Sequence, residues 1–206
     1  LHSMAEISLN KNGDFVVLWF CDRYGVFGHY FNFYEEKDYE DFHLNIYMEL
    51  TWMHIMRMNL FDDGTILFAF DCESSFDGAL DGSYRGIFYQ WFKYNAIIGL
   101  LEVTKYTQAN TFVLADQVLS GMVAYDDGFI LIWSSSYNDG DQNGVYAQRF
   151  DMFGNKVGSE TQINTFVTGT QNYAKVAMDN PNHLMIFWYG WGESVTGYEI
   201  NAQNFF

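Results

Sequence analysis

An all-β fold is predicted by three observations. An apolar strand recurs as Phe15-Val16-Val17-Leu18-Trp19, Thr65-Ile66-Leu67-Phe68-Ala69, Phe129-Ile130-Leu131-Ile132-Trp133 and Leu184-Met185-Ile186-Phe187-Trp188, at steps of 50, 64 and 55 residues. A second strand follows each one, with a phenylalanine column at Phe31, Phe92, Phe150 and Phe205. No stretch has a helical period, and Gly, Asn and Asp turns separate the runs. Two columns drifting with the same period divide the chain into four repeats, at about 4–52, 54–112, 120–165 and 173–206.

The third repeat shows the unit most plainly. Met122-Val123-Ala124-Tyr125, Gly128 to Trp133, Gly144-Val145-Tyr146-Ala147-Gln148-Arg149-Phe150-Asp151 and Thr161-Gln162-Ile163-Asn164-Thr165 read as four strands, with turn-like Gly154-Asn155-Lys156-Val157-Gly158 before the last. In the first repeat, Ala5 to Leu9 alternates and Phe15 to Phe20 is apolar on both faces, as in a strand covered on both sides. Phe42 to Tyr47 reads as its last strand, after a charged tip at 35–41. The second repeat carries Met53, Met56 and Met58, which suit either a soft binding surface or core gap-filling. The fourth has three strands and then stops, so fifteen strands are expected. Four-stranded antiparallel meanders with apolar faces are what β-propeller blades require, so a single β-propeller-like repeat domain over 1–206 is predicted, with the last repeat incomplete. A β-sandwich or a linear β-repeat array remains the alternative.

The 206 residues are 49% hydrophobic and 20% aromatic, with one proline and no apolar run of transmembrane length, which describes a globular chain without a membrane span. Net charge is −16, and only ten Lys and Arg are scattered along the chain, so nucleic acid is excluded as a partner. The chain opens on Leu1-His2-Ser3-Met4, as a processed or partial product does, and the lack of a leader says nothing of compartment. Cys21 and Cys72 follow the apolar strand in adjacent repeats and fit either a disulfide or two thiols. There is no N-x-Ser/Thr acceptor.

Four constellations are candidates for chemistry. Asp139-Gly140-Asp141-Gln142-Asn143-Gly144 has the D-x-D-x-N-G spacing in which Asp139, Asp141 and Asn143 converge on Ca²⁺, although Phe150 stands where an EF-hand needs Glu. The same residues also make a Gly/Asp-rich hairpin loop. Tyr189, Trp191 and Glu193 place aromatic faces beside an acid, as a sugar platform does. Gln90, Gln148 and Gln203, with His29 in their column, lie inside apolar strands and need backbone or neighbouring-repeat partners; an amide ring around a ligand channel is the other reading. The loop acids Asp22, Asp71, Glu73, Asp77, Asp81, Asp139, Asp141 and Glu193 contain the makings of a glycosidase pair, but acids fill other turns too. The five histidines lack metal-ligand spacing and no nucleophile motif occurs, so no catalysis is expected.

The wording Asp127-Gly128-Phe129-Ile130-Leu131-Ile132-Trp133, then Gly144 to Asp151, then Gly154 to Thr165, resembles a tandem β-repeat of very large secreted and surface proteins of bacteria and ciliates. The match is close over 127–165, fair over 175–205 and weak in the first two repeats. The resemblance implies an extracellular or cell-surface, propeller-like, non-catalytic module of adhesive or structural proteins, and it brings no catalytic residues. Together with the unfinished last repeat, it leads to the expectation of a structural, adhesive module that assembles with copies of itself or neighbouring repeat chains. A carbohydrate-binding propeller that takes glycans is the alternative, and a glycoside hydrolase is third.

Overall fold

A computed structural model describes the chain except residues 1–3, 22–23, 33–36, 39–40, 45–51, 74–84, 96–99, 105, 181–182, 192–196 and 206. Among the described residues there is no helix, hence none long and apolar enough to cross a membrane. The strands are β1 (Ala5–Leu9), β2 (Phe15–Cys21), β3 (Gly25–Asn32), β4 (Lys37–Asp38), β5 (Phe42–Leu44), β6 (Trp52–Leu60), β7 (Thr65–Glu73), β8 (Arg85–Asn95), β9 (Leu100–Val103) and β10 (Thr107–Gln108). They continue as β11 (Gln117–Tyr125), β12 (Gly128–Ser136), β13 (Asn143–Asp151), β14 (Lys156–Gln162), β15 (Gln171–Asn180), β16 (His183–Trp191) and β17 (Tyr198–Phe205).

Each repeat is one antiparallel sheet, ordered by sequence. The fourth-strand position distinguishes them. It is split into β4 and β5 on β3, and into β9 and β10 on β8; it is continuous as β14 on β13, and nothing described pairs β17 on that side. The splitting accounts for the excess over the fifteen strands expected. Both apolar columns meet in register: Phe15 pairs Phe31, Phe129 pairs Phe150 and Leu184 pairs Phe205. Phe15 stacks on Phe31 at 4.3 Å and Phe129 on Phe150 at 4.7 Å between ring centroids, the offset packing that aromatic pairs favour.

Two differences from the sequence expectation have local causes. The turn before β14 sits at Asp151–Asn155, because the Asp151 carboxylate accepts from the N–H groups of Phe153 (2.9 Å) and Asn155 (2.8 Å) and from the Asn155 amide (2.9 Å). The chain therefore re-enters the sheet at Lys156, inside the stretch read as a turn. In β2 burial alternates, so Phe15, Val17 and Trp19 are only half-buried, whereas β7 and β12 are buried on both faces. Apolar sequence on both faces does not reveal which face a neighbouring sheet covers.

The chain divides into two compact units, residues 1–77 with 88–107, and 78–87 with 108–206. In the first, β1 lies beside β6, and Leu60 N–H donates to Ser8 Oγ (2.8 Å). Its core joins Val16, Leu18, Met53, Met56, Phe68 and Phe70, so the methionines fill core. Neither Cys21 nor Cys72 is in a disulfide. In the second unit β11 lies beside β15, and Ile130, Ile132, Val145, Ile186 and Trp188 form a core between the third and fourth sheets. First strand beside first strand is the arrangement that stacked blades require.

Candidate functional site

The site is built by the fourth repeat, within the second unit. Successive side chains of a strand point to opposite faces, so Tyr189 and Trp191 of β16 share one face with Tyr198 of β17, which pairs directly with Trp191. Tyr198 stacks on Tyr189 (centroids 4.9 Å, 8°) and meets Trp191 edge-on (5.4 Å, 83°). The three rings stay 43%, 40% and 53% exposed for Tyr189, Trp191 and Tyr198. A mutually braced aromatic group open to solvent is thus present, and it needed a third ring, Tyr198, to which sequence reasoning gave no role. Glu193, the acid expected beside it, lies outside the described residues.

Trp191 is fixed from a neighbouring loop. Its backbone N–H donates to Thr170 O (2.9 Å), and Gly169 lies so close that an added Cβ would meet Trp191 Cβ at 2.8 Å. Gly169 also has φ +77°, so glycine is required there twice over. This loop is held in turn by the Asp139–Asn143 segment: Gly169 N–H donates to Asp141 Oδ2 (2.9 Å) and the Thr170 hydroxyl donates to Gln142 Oε1. The hydrogen bonds from Gly169 and Gln142 hold the exposed Asp141 carboxyl below its ordinary range. Asp139 accepts from Asn164 Nδ2 (3.3 Å) and from Asp141 N–H (3.3 Å), and Asn143 Oδ1 accepts from the Ser136 hydroxyl (2.7 Å). The three oxygen-bearing residues read from the D-x-D-x-N-G pattern are therefore engaged by the protein's own donors. Among the described residues, no three His, Cys, Asp or Glu side chains group as metal ligands would.

Beside Trp191 is a cavity of about 220 Å³, walled by Gln171, Trp188, Trp191, Glu199, Asn201 and Gln203. Its origin is visible by comparison with the third repeat, where Gly144 occupies the place of Glu199. A side chain at Gly144 would strike Asp139 Oδ2 at 2.6 Å and Asn164 Oδ1 at 3.2 Å. In the fourth repeat that place carries a carboxylate that lines the cavity, with the amide of Asn201 next on the same face. Comparing the repeats at this aligned position was the signal that would have singled out Glu199.

Two members of the glutamine column, Gln148 and Gln90, are held by backbone carbonyls. Gln148 Nε2 donates to Arg149 O (2.9 Å), Val157 O (3.4 Å) and Gly158 O (3.3 Å), and Gln90 Nε2 donates to Thr104 O. These are backbone partners, as the structural reading expects. His29, in the same column, meets Asp41 instead, Nδ1 to Oδ1 at 2.7 Å.

No protein-family model and no curated protein matches the sequence. Solved structures do match the fold. An endo-arabinase from Bacteroides thetaiotaomicron VPI-5482 aligns with a TM-score of 0.51 at 11% identity over 98% of this chain and 74% of its own. A structure titled glycoside hydrolase aligns at TM-score 0.47, 7% identity, over 96% of this chain and 68% of its own. The GH43 BlXynB protein from Bacillus licheniformis aligns at 0.35, 8% identity, over 98% and 54%. The first of these carries the fold assignment, and the chain is all-β and β-propeller-like. The comparison also corrects the expectation of no catalysis, which rested on missing motifs: the structure that carries the fold assignment is titled an endo-arabinase, so the absence of a nucleophile or histidine motif does not set this fold apart from enzymes.

Proposed function

We propose that the chain is a carbohydrate-recognising propeller-like domain whose fourth repeat holds the sugar. The observation that carries this reading is the pairing of two features at one end of β16 and β17: Trp191, half-exposed and braced edge-on by Tyr198, and a small cavity lined by Trp191, Glu199 and Asn201. A sugar ring has an apolar face that stacks on indole and a rim of hydroxyls that donate to carboxylate and exchange hydrogen bonds with amides. About 220 Å³ suits a single ring or chain end better than a long segment. The fold likeness to a structure titled endo-arabinase supports the reading and makes arabinan the first polysaccharide to try.

Affinity electrophoresis through gels containing arabinan, xylan or β-glucan tests it. Retardation by at least one polysaccharide is expected, with Trp191→Ala weakening it at least tenfold, about 1.4 kcal/mol. No retardation in any gel, or retardation unchanged in Trp191→Ala, would overturn the assignment. Reducing-end release is measured on the same samples, since turnover that is lost in Glu199→Gln extends the site from recognition to hydrolysis.

A further inference from the structure

Two connectors of the second unit are built alike. Residues 110–117 and 164–171 share the sequence Asn-Thr-Phe-Val, three further residues and Gln. Asn110 Nδ2 donates to Phe112 O (2.8 Å) and Gln117 Oε1 (3.0 Å), as Asn164 Nδ2 donates to Phe166 O (3.0 Å) and Gln171 Oε1 (3.1 Å). Gln117 Nε2 donates to Ala115 O, and Gln171 Nε2 to Thr168 O (3.0 Å) and Gly169 O (3.3 Å). The carbonyl before each glutamine then accepts a backbone N–H from the end of an apolar strand, Ser136 to Asp116 O and Trp191 to Thr170 O, both at 2.9 Å. Each connector is thus closed by its own amides and anchors one strand end.

Against this shared plan, two departures of the second connector meet at Trp191. Where the first strand end carries Ser136, paired with Asn143 and donating to its Oδ1 (2.7 Å), the second carries Trp191, paired with Tyr198 and packed against it edge-on. Where the first connector carries Ala115, the second carries Gly169, with φ +77° and no room for a Cβ beside Trp191. The N–H of this glycine is taken by Asp141 Oδ2 (2.9 Å), a side chain of the loop between β12 and β13, while Asp141 Oδ1 accepts from Gln142 N–H (2.9 Å). The Thr170 hydroxyl donates to Gln142 Oε1. These bonds come on top of the ones that close the connector. What they add is a fixed position for Gly169 and Thr170 relative to the third repeat, and Trp191 is bonded to Thr170.

We infer that Asp141 is a positioning residue of the fourth-repeat site: its carboxylate holds Gly169 N–H and thereby sets where the Trp191 indole stands relative to Glu199 and Asn201. The inference deepens the carbohydrate reading and rests on it. Stacking and hydrogen bonding to one sugar ring require the indole and the polar groups at fixed separations, because dispersion contacts weaken within an ångström of their optimum and hydrogen bonds are no more tolerant. A binding group is held at such separations by the hydrogen bonds of the residues behind it. Asp141 acts from the neighbouring repeat, so the site belongs to two sheets, although the aromatic group and the cavity acid both come from the fourth.

Fluorine NMR of the intact chain labelled with 5-fluorotryptophan tests the inference, with Trp191→Phe identifying the Trp191 signal and Trp19→Phe that of Trp19 as the control. Asp141→Ala is expected to shift or broaden the Trp191 signal and to leave that of Trp19 in place. Asp141→Asn keeps one acceptor oxygen, and its effect on Trp191 is expected to be smaller. In the arabinan, xylan and β-glucan gels, Asp141→Ala is expected to weaken retardation roughly threefold or more, since it displaces the indole instead of removing it. A Trp191 signal unchanged in Asp141→Ala, or retardation equal to that of the unaltered chain, overturns the inference. Where Asp141→Ala fails to fold, Gln142→Ala, which removes only the acceptor of the Thr170 hydroxyl, carries the same expectation and is overturned by the same results. A shifted Trp191 signal in a chain that no gel retards upholds the hold of Asp141 on Trp191 and overturns the carbohydrate reading, so the two failures are told apart.

Discussion

The third and fourth repeats share a register and differ in what covers it. In both, an apolar strand is paired with a second strand, and Phe150 and Phe205 occupy the same place in the ladder. In the third repeat β14 covers the outer edge, Phe150 is buried against Phe129, and Asn164 and Asp139 fill the space over Gly144. In the fourth no described strand pairs β17 on that side, Phe205 is half-exposed, and the corresponding space is a cavity lined by Glu199 and Asn201. The same strand sequence pattern therefore serves packing in one repeat and lines a cavity in the next.

That contrast is sharpened most by matched deletions. Phe150→Ala is expected to cost about 3–5 kcal/mol, the usual loss for a fully buried aromatic, and Phe205→Ala well under half of that. Urea denaturation followed by far-UV circular dichroism checks both, and equal costs would break the comparison. Next in size is the asparagine: Asn164→Ala leaves the Val145 N–H without its acceptor and is expected to cost about 1–3 kcal/mol. Asn201→Ala, at a half-exposed position beside the cavity, is expected to change stability by less than about 0.5 kcal/mol.

The smallest effect concerns Tyr146, which occupies in the third repeat the place of Asn201 in the fourth. Burial, and then the negative charges of Asp139 and Glu160, push its phenol up to about 12. The folded state therefore holds this proton more tightly than the unfolded chain, whose tyrosines titrate near 10. The associated stability is complete below about pH 10 and is lost as pH rises toward 12. Absorbance titration of tyrosinate should show this phenol ionising last, and Asp139→Asn should lower its midpoint. An ordinary midpoint for Tyr146 would mean that the third repeat is as open there as the fourth.

Much of the fold was legible in the residues because β structure with a repeat writes itself twice: apolar alternation marks each strand, and recurrence aligns the strands with one another. The pairing of Phe15 with Phe31 and of Phe129 with Phe150 follows from two columns that move together along the chain. Tyr189 and Trp191 were also readable, since residues two apart on a strand share a face. The cavity was not readable, because it follows from how the fourth repeat differs from the third at Gly144 and Glu199, and that difference shows only when aligned positions are compared in space. Tyr198 and Glu199 are distant in sequence from the strand end they join, and only the antiparallel pairing of β17 with β16 brings them to Trp191 and Gly190.

By itself, then, the amino-acid sequence determined that the chain is all-β and that its apolar strands recur in four repeats, which are consequences of local alternation and period. Only the tertiary structure decided which faces and edges are covered. Coverage depends on neighbouring sheets and on a fourth strand's asparagine reaching back to another strand's N–H, contacts between residues some twenty positions apart, such as Val145 and Asn164, that no local pattern encodes.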